Sequence, residues 1–415
     1  MISLVRRGVM LLVTVAAGCA TNSTFVQPRV APDGPAPRLI LGRGDQLAAA
    51  KARLLGGDTV LRPAYDALLR SADSALALEP PTVMRKRKTP PSGDKHDFMS
   101  LAPYWWPDTT RPGGLPYVRR DGEVNPDSRL DHDGTRFQQM EDAVEALAFA
   151  YHLSDDARYS SKAGELLRVW FVDSATRMNP NLRFAQAVLG VNEGRGTGII
   201  DTRHIPQLVD ALRLLDGAPG WAESDRDAVV AWCRDYLSWL RTSENGRDEA
   251  AAENNHGTWY DAQVAALALF VGDSAVAREV IGRSATARVA SQIAADGKQK
   301  LELERTRPLH YSLFNLDAFT QLAEMGRHVG VDLWGHVAPS GGSIPAALRF
   351  VATYANPATP WPTAQVTPAT PDVFLLPLRR GAAAIADTTF AAALRRLPAD
   401  LTRTHRSRFL FPDTP

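Results

Sequence analysis

Apolar residues recur every three or four positions along most of this sequence, which is the period of an amphipathic helix. One such face carries Phe137, Met140, Val144, Leu147 and Tyr151. Alternating runs of β-branched and polar residues, which are typical of strands, are scarce. The pattern predicts an all-α protein, and the 45% of residues that are hydrophobic are enough for a large core.

The predicted helices follow one another in pairs joined by loops. Further helical segments lie near 44–56, 60–76, 204–215, 223–241, 258–271, 274–295, 309–328 and 342–355. Each helix must bury one face against a neighbour, so this many pairs predict an (α/α) toroid, an incomplete barrel of antiparallel helix hairpins. In VGDSA (271–275), one helix is expected to end at Gly272, and Asp273 or Ser274 to cap the next.

The N-terminus has the features of a secretory signal. Two arginines precede a short apolar run that ends in AAGC, which resembles a bacterial lipoprotein cleavage site. We expect residues 1–19 to be a signal peptide and Cys19 to carry a lipid anchor; an ordinary cleaved signal is the alternative. The Pro-rich residues 20–38 are expected to be a flexible linker. The protein is then expected in the periplasm or anchored to the outer membrane.

Residues 39–355 form the predicted toroid, and residues 356–415 a C-terminal extension packed on it. With Cys19 lipidated, Cys233 is unpaired, and its apolar helical neighbours predict a buried, inert thiol. The chain has 47 basic and 46 acidic residues. This balance argues against a nucleic-acid partner but permits a local patch for an anionic ligand. We expect a monomer.

Residues 92–128 interrupt the helical pattern and read as a long loop rich in aromatic residues, Gly and Pro. Long ordered loops are uncommon unless they have a function. Its consecutive aromatic residues Tyr104, Trp105 and Trp106 can stack on sugar rings, although they can equally plug the middle of a toroid. The nearby cations predicted to hold anionic groups are Lys95, His96, Arg119 and Arg120.

A second segment, AENNHGTWYDAQ (252–263), places two amides and an imidazole before an apolar run. Asn254 or Asn255 can cap a helix that starts near Thr258, and one Asn is enough for that. The second Asn, with His256, provides an amide donor beside a titratable ring, a pair that can hold a carboxylate and move a proton. The other predicted substrate contacts in this segment are Asn254, Trp259 and Tyr260.

A third segment, LELERTRPLHYSLFN (301–315), combines two arginines, a histidine and a tyrosine at the start of a helix. Taken singly, Arg305, Arg307, His310 and Tyr311 are ordinary surface or core-edge residues. Their clustering predicts a site for an anionic group.

Four motifs together resemble the alginate lyase domain family: HDFMSLAPYWWPD, GLPYVRRDGEVNP, NNHGTWYDAQ and ERTRPLHYSLFNL. The resemblance extends from about residue 60 to about residue 345. It implies a secreted or periplasmic polysaccharide lyase with an (α/α)-toroid fold. Lyases of this fold carry Asn-Asn-His before a helix and an Arg shortly before a Tyr. The matching positions, which the resemblance marks as catalytic, are Asn255, His256, Arg305 and Tyr311, with Arg307 as the alternative arginine.

The resemblance implies β-elimination on an anionic polysaccharide, a polyuronide, with mannuronate-type alginate as the expected substrate. The proton on C5 is removed, and the bond from C4 to the bridging oxygen breaks. Asn255 and Arg305 suit neutralisation of the uronate carboxylate. Tyr311 and His256 would be base and acid, and nearby Arg and His charges are expected to favour the Tyr311 phenolate. In mannuronate, H5 and O4 lie on the same side, so that one tyrosine can serve both steps. No metal or cofactor is expected.

Three alternative functions remain open. A lyase for glucuronan or another glucuronate polymer would meet the same H5 and O4 geometry. A lipoprotein that binds polysaccharide without cutting it would need only the aromatic and cationic residues. A glycoside hydrolase would need two carboxylates across the scissile bond. The candidate carboxylates are Glu193, Asp201, Glu253 and Asp261.

Overall fold

The computed structural model describes residues 36–130 and 132–411. The predicted signal peptide with Cys19, and residues 20–35 of the predicted linker, lie outside the described residues. The helices are α1 (Gly44–Leu55), α2 (Arg62–Leu76), α3 (Asp133–Ser154), α4 (Ala157–Leu167), α5 (Ile205–Leu214), α6 (Glu223–Thr242), α7 (Glu244–Ala251), α8 (Asn255–Val271), α9 (Ser274–Arg283), α10 (Ala290–Gln292), α11 (Lys300–Leu303), α12 (Pro308–Gly326), α13 (Ile344–Ala352), α14 (Leu375–Ala384), α15 (Thr388–Leu394) and α16 (Ala399–Thr404).

Short strands form two two-stranded sheets in the described chain. They are β1 (Met99–Leu101), which pairs in parallel with β4 (Phe184–Ala187), and β2 (Trp105–Trp106), which pairs antiparallel with β3 (Val118–Arg119). Residues 92–128, which read as a loop, therefore contain three strands. Aromatic and β-branched side chains favour extended backbone, and this preference prevails locally in a segment rich in Gly and Pro.

The helices pack in two layers. α3, α5, α8, α12 and α14 contact one another in that order and form the inner layer. α4, α6, α9 and α13 pack against them from outside. α8 and α12 are buried on almost every face, as expected for helices enclosed by others. This arrangement confirms the predicted all-α toroid of helix pairs.

The start of α8 decides where the NNH motif lies. Asn254 is its N-cap, and the side-chain oxygen accepts the backbone N–H of His256 at 3.2 Å. α8 therefore begins at Asn255, three residues before the predicted start, because the capping Asn satisfies a first-turn N–H group. At the other end Gly272 terminates α8 with φ 86°, and the Asp273 side chain caps α9, as predicted.

The C-terminal segment packs back on the helical layers, with α14 against α12 and α16 against α2. Arg380 on α14 forms an ion pair with Asp317 on α12. Between α13 and α14, the backbone N–H of Val366 donates to the carbonyl of Thr306 at 3.0 Å. This segment therefore lies beside the ERTRPLHY residues.

Cys233 is buried in α6, and burial raises the pKa of its thiol to about 12. The predicted buried, inert thiol is thus confirmed. Within residues 36–130 and 132–411, no helix has the length and apolar character needed to cross a bilayer.

Candidate active site

The three polar motifs of the sequence meet in one cleft of about 850 Å³. Its walls come from four parts of the chain: residues 92–128, here called the aromatic loop, with Arg129 directly after it; β4 with residues 195–203; the N-terminal end of α8; and residues 301–314. This volume lies within the range of pockets that bind small ligands.

Asn255 is held beside the cleft by a buried carboxylate. Glu302, on α11, accepts the backbone N–H of Asn255 at 2.7 Å and its side-chain Nδ2 at 2.8 Å. Both residues are buried. Burial raises the pKa of Glu302, and the two bonds from Asn255 oppose that rise. Because Nδ2 carries two protons, one N–H is left for an acceptor in the cleft.

A second buried carboxylate orients His256. The ring Nδ1 lies 2.7 Å from Oε1 of Glu249, on α7. The His256 side chain is 20% exposed, whereas that of Glu249 is 1% exposed. A carboxylate only accepts hydrogen bonds, so Nδ1 carries the proton and Nε2 presents its lone pair to a ligand. The NNH motif thus offers one amide donor and one basic ring nitrogen.

Arg305 and Tyr311 are stacked. The guanidinium carbon of Arg305 lies 3.7 Å from the centroid of the Tyr311 ring, a cation–π contact. Asp121 of the aromatic loop accepts Nε and Nη2 of Arg305 at 3.1 and 2.7 Å. The Tyr311 hydroxyl lies 2.5 Å from the hydroxyl of Tyr104. These contacts orient the guanidinium and leave its Nη1 for a substrate carboxylate.

Tyr311 is a protonated phenol in the free protein. Burial raises its pKa well above the ordinary value, Tyr104 adds to the rise, and the charge of Arg305 opposes it only partly. The Arg305 charge favours the phenolate, as expected, but desolvation outweighs it and the phenol keeps its proton. Burial also lowers the pKa of His310 to about 4, so this ring is neutral. Tyr311 is accordingly suited to donate a proton.

The aromatic loop is held against the ERTRPLHY residues at Asp121 and Gly122. Oγ1 of Thr306 donates to the carbonyl and the carboxylate of Asp121, with both oxygens at 3.0 Å. Gly122 has φ 77°, and a β-carbon there would lie 2.4 Å from Oγ1 of Thr306. Glycine permits this left-handed backbone and close approach. These contacts of Asp121 and Gly122 with Thr306 keep Tyr104 beside Tyr311, although the two tyrosines are far apart in the sequence.

The cleft is rich in arginine although the protein as a whole is almost neutral. Among the described residues that line it, Asp201 and Glu253 are the acidic ones. Burial lowers the pKa of Arg195 and of Arg203, so these cations are desolvated and attract an anion strongly. The arginines that line the cleft are Arg119, Arg129, Arg195, Arg203, Arg305 and Arg307.

Gln186 of β4 holds Arg195 in place. Its carbonyl and its side-chain oxygen accept Nε and Nη2 of Arg195, each at 3.1 Å. Its Nε2 donates to Asp201 at 2.8 Å. Gln186 has φ 48°, a left-handed conformation that costs a non-glycine residue about 1–3 kcal/mol and is concentrated at functional sites. No local motif marks Gln186, Arg129, Arg195 or Arg203, so the sequence alone did not predict them as cleft residues.

Comparison with known proteins identifies the family. A family model described as alginate lyase matches residues 82–361. The chain belongs to the alginate lyase family. An alginate lyase of known structure from Bacteroides ovatus is 34% identical, with a TM-score of 0.85, and the match covers 90% of this chain and 99% of that one. The protein is therefore a polysaccharide lyase.

Two more distant structures share the fold of this lyase. Alginate lyase A1-III from Sphingomonas species A1 is 17% identical, with a TM-score of 0.50, over 85% of this chain and 97% of that one. A variant of A1-III complexed with a tetrasaccharide is 18% identical, with a TM-score of 0.56, over 85% and 96%. At these identities the likeness shows the toroid alone. Among curated protein sequences, none matches the chain.

Two predicted aromatic contacts lie in the core of the lyase. Trp259 is 1% exposed and Tyr260 is 4% exposed, and the Tyr260 hydroxyl donates to the carbonyl of Leu240. Their prediction as substrate-binding residues is wrong, because neighbouring helices enclose α8 immediately after its first turn.

The aromatic platform is divided by the geometry of β2. Successive side chains of a strand point to opposite faces. Tyr104 and Trp105 line the cleft, whereas Trp106 lies outside it, with its Nε1 donating to the carbonyl of Glu123. Arg120 also lies outside the cleft lining, with its guanidinium 5.1 Å from the Trp106 ring. The predicted substrate contacts of Trp106 and Arg120 are therefore not part of the cleft lining and stay predictions.

Lys95 and His96 also lie outside the cleft lining. The His96 ring bonds the carbonyl of Arg177 through Nδ1 at 2.6 Å, and the carbonyl of Lys95 accepts Nζ of the buried Lys86. This end of the aromatic loop packs on the segment after α4, so the structure does not bring Lys95 and His96 to the cleft, and their substrate contact stays a prediction. Asn254, Arg119, Arg307 and His310 do line the cleft.

The carboxylates considered for a hydrolase are differently placed. Asp261 is buried in ion pairs with arginines that include Arg288, and Glu193 is exposed outside the cleft lining. Asp201 lines the cleft, but its oxygens accept hydrogen bonds from Gln186 and from a serine. Glu253 lines the cleft and is exposed. In the part of the chain that the structure describes, no group of three or more His, Cys, Asp or Glu could hold a metal ion.

Proposed function

We propose that this lyase cleaves alginate by β-elimination. The observation that supports this most directly is the arginine-rich cleft in which Asn255, His256, Arg305 and Tyr311 come together. Membership of the alginate lyase family supports the choice of polymer. The positive lining suits a chain that carries a carboxylate on every sugar.

The first task in the proposed reaction is to neutralise the carboxylate next to C5. The free N–H of Asn255 and Nη1 of Arg305 bind its oxygens and stabilise the enediolate-like state that forms when the C5 proton leaves. Glu302 and Asp121 hold these donors before substrate arrives. Removing one preorganised donor of this kind raises a barrier by about 3 kcal/mol.

The second task is proton transfer, which we assign from the protonation of the free groups. His256 accepts the C5 proton at Nε2, because Nδ1 is bonded to Glu249. Tyr311 donates its hydroxyl proton to O4 as the C4–O4 bond breaks. The products are an unsaturated uronate with a C4–C5 double bond and a chain that ends in the former bridging oxygen. We propose mannuronate-type linkages, in which H5 and O4 lie on one side of the ring, so that His256 and Tyr311 would both act from that side.

The test is a panel of polymannuronate, polyguluronate, glucuronan, hyaluronan and pectate, monitored by the ultraviolet absorbance of the unsaturated end. We expect the fastest rise on polymannuronate. A faster rise on polyguluronate would place acid and base on opposite sides of the sugar, and a faster rise on glucuronan would replace alginate as the substrate. Folded protein that binds alginate without any rise in absorbance would refute the proposal in favour of a binding protein.

A further inference from the structure

We propose that Glu249 is a positioning residue of the elimination reaction. By holding Nδ1 of His256, it selects the ring nitrogen that meets the substrate and stabilises the charge that the ring acquires. This inference rests on the proposed function, in which His256 removes the C5 proton.

The position of Glu249 is the first argument. Glu249 lies on α7, is 1% exposed and bonds His256 through Oε1. Its Oε2 is buried and has no hydrogen-bond partner in the described chain. A buried carboxylate oxygen without a partner is costly, and a glutamine or an apolar residue would avoid part of that cost. A negative charge at this place therefore calls for a function beyond packing.

The packing of α7 is the second argument. A β-carbon on Gly196 would lie 2.8 Å from the carbonyl of Asn245 and 3.2 Å from the backbone nitrogen of Glu249. The start of α7 is capped by Ser243, whose Oγ accepts the Gly246 N–H at 3.0 Å. α7 is thus pressed against the 195–202 segment, which holds the Glu249 backbone at a defined distance from α8.

The chemistry of the imidazole is the third argument. In the free protein the Nδ1–H bond to Glu249 keeps the Nε2 lone pair directed at the cleft; the other tautomer would present an N–H and no base. When Nε2 takes the C5 proton, the ring becomes a cation 2.7 Å from the Glu249 carboxylate. The attraction is strong because that carboxylate is desolvated. Glu249 therefore acts on the ring before and during proton transfer.

Other charged groups near the His256 ring act on it less directly than Glu249 does. Glu302, behind Asn255, acts on His256 through space from α11. Arg195 is the cation that faces Glu249 from the 195–202 segment. Glu253 lies on the cleft lining near the start of α8. None of these three forms a hydrogen bond to the ring among the described residues, so Glu249 dominates its orientation.

The experiment compares Glu249→Gln with the wild-type protein over a pH series, with kcat/KM on polymannuronate as readout. Replacing the carboxylate by an amide removes the negative charge that lies 2.7 Å from the ring nitrogen and favours the protonated ring. In the plot of kcat/KM against pH, we expect the plateau to fall about 100-fold in the variant. We expect the acidic limb to move down by about one pH unit or more. A fall in rate with an unmoved limb would overturn the proposal, because a merely structural residue behaves in that way.

Two further variants sharpen the comparison. Glu249→Asp keeps the charge but shortens the reach, so we expect an acidic limb near that of wild type and an intermediate rate. Glu244→Gln, on an exposed position of the same helix, is the matched control and should behave as wild type. If Glu249→Gln does not fold, as judged by circular dichroism, the Asp variant decides the matter: a wild-type rate would refute the proposal.

The outcomes separate this inference from the function on which it rests. Wild-type protein that produces no unsaturated ends from any polyuronide refutes the proposed function. Active wild-type protein, together with a Gln variant of unchanged rate and profile, refutes the role of Glu249 alone.

Discussion

Replacing Asp121 by Asn tests how the aromatic loop supports the catalytic residues. Burial alone would raise the pKa of the Asp121 carboxyl, but the hydrogen bond and charge of Arg305, with bonds from Thr306, lower it from 3.8 to about 2. That difference corresponds to about 2.4 kcal/mol of stability. Because the Asp121 side chain is 20% exposed, solvent screening reduces the expected contribution to about 1–2 kcal/mol.

The pH dependence of this contribution has a definite sign. The pKa of Asp121 is lower in the folded than in the unfolded protein, so the stabilisation is fully present above the unfolded value of 3.8 and is lost as pH falls through about 2. Asp121→Asn should therefore destabilise the protein by about 1–2 kcal/mol at pH 7 and by about half as much at pH 3. Urea unfolding of both proteins at the two pH values measures the difference.

The same variant should lose activity because Arg305 is no longer held over Tyr311. Misplacement of a catalytic group by about 1 Å can cost about 100-fold, and we expect kcat/KM to fall at least about tenfold. Asp108→Asn is the control: it removes an ion pair with the exposed Arg111 in the same loop, outside the cleft, and should leave activity unchanged. A stability difference that is equal at pH 7 and pH 3, or a wild-type rate, would refute the reasoning.

Three further predictions concern the cleft itself. Tyr311→Phe should lower kcat by about 10³-fold in the ultraviolet assay, because it removes the proposed acid. The melting temperature should change little, because the hydroxyl bonds only Tyr104 within the described chain. Retained activity would exclude Tyr311 as the acid. Glu302→Gln leaves one N–H of Asn255 without an acceptor. We therefore expect the free energy of unfolding to fall by about 1–3 kcal/mol and kcat to fall as well. A loss of stability with unchanged kcat would show that Glu302 does not support the reaction. Trp105→Ala should raise KM for polymannuronate, whereas Trp106→Ala should leave it unchanged, and equal effects would contradict the division of β2 between two faces.

The helical layers could be predicted because long helices carry a repeating apolar face. α7 could not, because its sequence ENGRDEAA (244–251) has no such face: Gly246 and Glu249 are its buried residues. Its position is set by tertiary packing, which local propensity does not report. The orientation of His256 by Glu249 was hidden for the same reason.

The candidate site could be predicted where unusual residues stand close together in the sequence. Asn255, His256, Arg305 and Tyr311 fall in two short motifs, and the structure places both in one cleft. The burial that keeps Tyr311 protonated cannot be read from these motifs. The partners of these residues, such as Asp121, lie on other segments, and a single sequence contains no signal for that pairing.

The buried carboxylates and the arginines of the cleft have separate tasks. Glu249 and Glu302 are each bonded to one catalytic side chain, and Asp121 to Arg305; none of the three lines the cleft. Each supplies orientation at short range, while its charge is met locally by a donor or a cation. The positive potential of the cleft is thereby preserved for the substrate, since an acidic group facing the sugar would repel its carboxylate. A nearly neutral protein can in this way present a strongly cationic cleft.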